Sequence, residues 1–182
     1  MIIDMNHRGF TITELIIIIT AMGILMTLAV VNLSSSQANS RDTERKTDVE
    51  SIALYLDTFY NSGSDNSSTL GRYPSTVVTQ DLETTKLMLR DIDTKVITAP
   101  NETDSTVTFK PATNQLQTTT TVTPQPEINQ YIYQPIKSDG TLCTSETQDC
   151  RKFNIYYKLE VANVSDSCPS PGYVCMITSK NQ

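Results

Sequence analysis

The sequence predicts an α+β protein: one long N-terminal helix, apolar in its first half and amphipathic in its second, packed on a C-terminal antiparallel β-sheet of three or four strands. Three observations carry that expectation. The run Leu15 to Leu33 is apolar apart from Gly23, Thr20, Thr27 and Asn32. No Pro or Gly stands between Gly23 and Gly63, so nothing in that stretch breaks a helix. Beyond Gly71 the pattern turns to short alternating segments separated by turn residues, which is the signature of strands.

The apolar run is about 19 residues, or roughly 28 Å of helix, enough to cross the hydrocarbon core of a bilayer. Glu14 stands at its head. An acid at the centre of a spanning helix costs roughly 2.5 to 3.5 kcal/mol, and an ionisable group within a membrane segment points to function. Further on, Val49, Ile52, Ala53, Leu56 and Phe59 or Tyr60 recur at the spacing of a single buried helical stripe. Between the two halves, Asp42 and Lys46 stand at i,i+4, while Arg41/Glu44 and Arg45/Asp48 stand at i,i+3. These spacings favour ion pairs along a helix surface. The charged run Arg41 to Glu50 therefore reads as an exposed face, open to water or to pairs between subunits. One helix from about Thr11 to Tyr60 accounts for all of this, and it stops at the polar stretch "NSGSDNSS".

Downstream, "DLETTKLMLRD" (Asp81 to Asp91) reads as a short helix, and "STVTFKP" (Ser105 to Pro111) alternates in the manner of a strand. The clearest strand is "FNIYYKLEV", with Ile155, Tyr157, Leu159 and Val161 on one face and Asn154, Tyr156, Lys158 and Glu160 on the other. "INQYIYQPI" (Ile128 to Ile136) and "GYVCMITS" (Gly172 to Ser179) are the remaining candidates, and Pro135 places the former at an edge or at its own end. The Thr-rich "QTTTTVTPQP" (Gln117 to Pro126) is a strand or an exposed loop whose composition admits O-glycosylation.

With 182 residues the chain has room for a membrane-associated helix and one soluble domain. A formal charge of -6, with Lys and Arg scattered, gives no footprint for specific nucleic-acid binding. Cys143, Cys150, Cys168 and Cys175 all follow the apolar segment, which suggests an oxidising compartment. Both neighbouring pairs are seven positions apart and bracket turn-rich sequence, so the pairs expected are Cys143 with Cys150 and Cys168 with Cys175. Zinc sites space their cysteines more closely or add histidine, and His7 is the only histidine, so no metal or other cofactor is expected. The acidic loops "SGSDNSS" and "NETDS" lack the spacing of an EF-hand. No phosphate-binding glycine loop and no placeable carboxylate pair is present, which argues against an enzyme and leaves no catalytic residue to name.

"RGFTITEL" at the head of an apolar run resembles the class III signal of type IV prepilins and the related pseudopilins of type II secretion. The resemblance is strong over residues 8 to 33 and weaker through "SRDTERKTDVESIALYLDTFYNSG" to "RYP". It implies a type IV pilin-like fold and three segments: a leader 1–9 cut after Gly9, a transmembrane and filament-core helix 10–34, and an extracytoplasmic domain 35–182 that includes the second half of the helix. It implies N-methylation of Phe10 as the new terminus, and it makes Glu14 the acid that neutralises a neighbouring subunit's terminus during assembly. Opposite charges attract strongly in a low dielectric, whereas an offset subunit would bury both unpaired. The implied partners are further copies of the chain, a prepilin peptidase, an inner-membrane assembly platform and, indirectly, a cytoplasmic motor ATPase. The precursor would lie in the membrane and the polymer would be a surface filament for adhesion, twitching or DNA uptake. Many pilins carry proline where Val31 stands here, so any unwinding of the helix on assembly would depend on Gly23.

Three other readings compete. The first is the major pseudopilin of a type II secretion system, which "RYP" also resembles. The second is a secretory signal peptide cut near "SSSQA" (Ser34 to Ala38), although its apolar run would be longer than usual and would carry Glu14. The third is a plain membrane anchor on a non-filament binding domain, which leaves Glu14 and the Gly9/Phe10 junction without a role. Basic residues after the span outnumber those before it, Arg41, Arg45 and Lys46 against Arg8, which opposes an N-inside orientation. The cysteines and the cleavage motif favour it.

Overall fold

A computed structural model describes residues 10–63, 69–90, 92–102, 108–161, 168 and 174–180. The chain divides into two compact units, Met1–Ala38 and Asn39–Gln182. Helix α1 (Ile12–Ser62, 51 residues) contributes to both. It ends where Gly63 adopts φ 70° and its N–H returns to the Phe59 carbonyl at 2.7 Å, a left-handed closure that costs glycine nothing.

In the first unit every described side chain from Phe10 to Leu33 is exposed. The hydroxyls in this apolar stretch are satisfied inside the helix. Thr20 donates to the Ile16 and Ile17 carbonyls, Thr27 to Ile24 and Ser34 to Val30. They therefore add no unmet polar group to a surface that is otherwise hydrocarbon.

In the second unit Val49, Ile52, Ala53, Leu56 and Phe59 are buried, as their spacing requires. Val49, Ile52, Ala53 and Leu56 pack on one face of a four-stranded sheet ordered β1-β2-β3-β4: Phe109–Pro111, Tyr131–Lys137, Cys150–Lys158 and Val174–Thr178. The sheet is mixed, which corrects the expectation of an antiparallel one: β1 runs parallel to β2, and only the β2/β3 and β3/β4 pairs are antiparallel. The parallel pair follows from a long excursion, residues 112–130, that carries the chain back to the start of β1 before β2 begins.

That excursion also covers the second face of the sheet. Ala112 and Val122 lie with Ile132, Tyr156 and Val174 in a smaller core. Gln134 donates to the Asn114 and Leu116 carbonyls, while its own oxygen accepts from Asn154 and from the Tyr156 hydroxyl. Asn154 and Tyr156, which alternation alone puts on a polar face, are consequently buried. The Thr-rich stretch is a loop and not a strand. Pro135 lies within β2 at a point past the end of β1, where the side facing away from β3 needs no proline N–H and its carbonyl accepts from Cys143 N–H at 2.9 Å.

Between α1 and β1, Asp81 caps a short helix α2 (Leu82–Met88) by accepting from Thr84 N–H at 2.8 Å. The candidate calcium loops fall largely on residues 64–68 and 103–107, outside the described residues.

Candidate assembly surface and its anchor

The helix start is built by four residues. Thr11 precedes the first helical turn, and its Oγ1 accepts from Glu14 N–H at 3.2 Å. Glu14 reaches back, its Oε2 accepting from Thr11 N–H at 3.0 Å and from Thr11 Oγ1 at 2.9 Å. This reciprocal arrangement is a capping box, which satisfies two of the donors that every helix N-terminus leaves open. The sequence signal was present in Thr11-Ile12-Thr13-Glu14, since T-x-x-E ahead of an apolar run is its usual form. Phe10, immediately before the cap, is 81% exposed. Gly9, the other half of the expected cleavage junction, lies outside the described residues.

The second unit grips its part of α1 through buried charge. Asp42, Arg45 and Asp48 are 5%, 1% and 8% exposed, which corrects the solvent-face reading for these three, while Glu44 and Glu50 are exposed as expected. Arg45 Nη1 lies 2.9 Å from Asp42 Oδ1 and 2.8 Å from Glu160 Oε1, and Nε donates to the Ile128 carbonyl at 2.9 Å. Asp42 also accepts from Glu160 N–H at 2.9 Å and Val161 N–H at 2.8 Å. Arg41 pairs with both Glu160 oxygens, Nε to Oε1 at 2.7 Å. Thus Arg45 turns back to Asp42 and across to Glu160, not forward to Asp48. Hydrogen bonds from Arg41, and then from Arg45, pull the Glu160 carboxyl down to about 2. This too was legible: continuing the stripe backwards from Leu56 through Ile52 and Val49 lands on Arg45 and Asp42.

A second anchor surrounds Arg72-Tyr73-Pro74. Tyr73 is buried between the rings of Tyr60 and Phe153, at centroid distances of 4.7 and 4.8 Å, and its hydroxyl donates to Asp57 at 2.8 Å. Cys143 and Cys150 are disulfide-bonded, and the loop they close clasps this segment. Tyr73 N–H donates to the Cys150 carbonyl, Thr76 N–H to the Cys143 carbonyl, and Ser75 N–H and Oγ to Glu146. The Tyr133 hydroxyl adds a bond to the Pro74 carbonyl at 2.7 Å. The second disulfide joins Cys168 and Cys175.

Concave regions of the second unit include two formed by described residues. One, about 260 Å³, is lined by apolar groups of α1 and α2 including Leu54, Phe59 and Met88. The other, about 540 Å³, is rimmed by Glu127 and by Arg41 and Glu160, which pair with each other as described above. Among the described residues no group of three or more His, Cys, Asp or Glu is placed to hold a metal ion.

The described apolar side chains of the first half of α1 are exposed, a patch of the kind that marks contact with a membrane or with other helices, and the chain continues into a disulfide-bonded α+β domain. The chain is similar to the type IV major pilin protein PilA of Myxococcus xanthus (strain DK1622), 32% identical over 72 residues, a match covering 38% of this chain and 33% of that protein. The chain thus matches about a third of the length of this relative. No family model matches the chain, and no solved structure does. The long N-terminal helix and the mixed sheet make an α+β, pilin-like architecture, and the matched stretch is similar to that of a type IV major pilin.

Proposed function

We propose that this chain is a structural subunit of a type IV pilus, not an enzyme, and that it polymerises by burying its apolar helix among those of neighbouring copies. The observation that carries the reading is the exposure of every described apolar side chain from Phe10 to Leu33. At about 25 cal/mol per Å2, burying such a surface in a membrane or among like helices is a large driving force. The similarity to a major pilin supports the filament over a plain anchor.

In this reading a prepilin peptidase removes residues 1–9 after Gly9, Phe10 becomes the methylated terminus, and residues 10–34 hold the subunit in the inner membrane before assembly. An assembly platform driven by a cytoplasmic motor then adds the subunit to a surface filament used for adhesion, twitching motility or DNA uptake. Glu14 offers its carboxylate to the terminal amino group of a neighbouring copy. Among the described residues its hydrogen bonds use Oε2, which leaves Oε1 for that role without loss of the cap.

Electron microscopy of sheared surface filaments, followed by mass spectrometry, tests the proposal. Long filaments composed of this chain support it. Their absence at native expression, with mature chain in the inner membrane, would favour the major pseudopilin reading that the Arg72-Tyr73-Pro74 region also suggests.

A further inference from the structure

Asp48 lies on the sheet-facing side of α1, 8% exposed, and its Oδ2 accepts a hydrogen bond of 2.9 Å from the hydroxyl of Tyr131, a β2 residue with no exposed surface. No ion pair of Asp48 appears among the described residues. The guanidinium nearest in sequence, Arg45, is already committed to Asp42, Glu160 and the Ile128 carbonyl. Asp48 is therefore a buried carboxylate served by one neutral donor. An ionised carboxyl in such a place is costly, and the usual relief is to bind a proton.

We propose that Asp48 and Tyr131 form a proton-operated clamp between α1 and β2: the domain takes up one proton at Asp48 as the medium turns mildly acidic, and the protonated form holds the helix to the sheet more firmly. Protonation removes the buried charge and keeps the hydrogen bond, because a carboxylic acid and a phenol can still pair.

The surrounding groups act in both directions. On α1, Glu44 stands one turn earlier and its like charge favours protonation, while Arg45 opposes it. From the turn Thr94–Ile97, the exposed Lys95 also opposes it. From β2, Tyr131 favours the ionised form through its hydrogen bond, and burial keeps the phenol itself protonated throughout the range concerned. Burial of the carboxyl outweighs these opposing groups and raises Asp48 to about 6. A carboxyl raised in the folded state and ordinary in the unfolded one binds its proton more tightly when folded. Its contribution is fully present below the unfolded value near 3.8 and is lost as pH rises through about 6.

The test is carbon-13 NMR of aspartate carboxyl groups in the full chain held in neutral detergent micelles, with the Asp48 signal assigned through its own backbone amide. The clamp predicts a titration midpoint at about 6, and Tyr131→Phe should move it higher by removing the donor to the charged form. Unfolding by urea should require more denaturant at about pH 5 than at about pH 7.5, and Asp48→Asn should flatten that rise. A midpoint in the ordinary range near 3.9 would overturn the proposal, as would a midpoint unmoved by Tyr131→Phe. Both readouts use the wild-type chain or a variant that keeps Asp48, so failure of Asp48→Asn to fold leaves the test decisive.

Discussion

The guanidinium of Arg45 lies 2.8 Å from the carboxylate of Glu160 and joins the second half of α1 to the chain just past β3. The Arg45 side chain is 2% exposed, whereas Arg41, which shares the same carboxylate, is 27% exposed. The two arginines should therefore differ sharply on removal. Arg45→Met leaves the buried Asp42 without its cation and Glu160 with Arg41 alone, at a cost of about 3 kcal/mol. Arg41→Ala should cost much less, because water screens its pair. Denaturant unfolding of the full chain in micelles measures both, and equal losses would show that burial does not decide the difference.

The Cys143/Cys150 loop should hold Tyr73 to Thr76 in place. Replacing both cysteines by serine removes a short-loop crosslink worth on the order of 2 to 3 kcal/mol. It should also speed hydrogen exchange at the Tyr73 and Thr76 amides, which donate to the two cysteine carbonyls. Unchanged exchange at those amides would separate the disulfide from the clasp.

Much of this was legible beforehand, and the gaps have physical causes. Helix α1, its apolar stripe, α2 and all four strand regions follow from periodicity and breakers, because each pattern is set by neighbours in sequence. The parallel β1/β2 pair was not legible, since strand direction depends on where residues 112–130 travel. Burial of Asn154 and Tyr156 depends on the same excursion and on the Gln134 network that holds it. The charged run misled for a different reason. Pair spacing along a helix says that Asp42 and Arg45 can meet others on the surface, but their phase relative to Val49 and Ile52 decides that they face inward. At the helix start the charge of Glu14 is plain in the sequence, and its bond to Thr11 follows from the geometry of the first turn.

Acid should weaken the domain through Glu160. Its carboxyl is held at about 2 by Arg41 and Arg45, below the ordinary 4.5. A lowered value stabilises the fold at any pH above the unfolded value, and that stabilisation is lost as pH falls from about 4.5 towards 2. Glu160→Gln should flatten the pH dependence of the unfolding midpoint across that window. A wild-type slope retained in the variant would assign the acid sensitivity to other groups.

The mature chain should begin at N-methyl-Phe10. Intact-mass analysis of the processed protein measures this directly. A terminus near Ala38 would support an ordinary signal peptide instead, and replacing Gly9 with a bulky residue should leave uncleaved precursor in the membrane.

The filament claim is tested most directly at Glu14. Glutamine at the third helical position preserves a capping box, whereas alanine removes it, so Glu14→Gln isolates the charge from the cap. Loss of a charge eases membrane insertion, and mature subunit should accumulate normally in the membrane. The measurement is the amount of sheared polymer relative to membrane-bound mature subunit in Glu14→Gln and wild type. The account predicts a collapse of polymer at a normal subunit level, and an unchanged ratio would contradict the assembly role of Glu14.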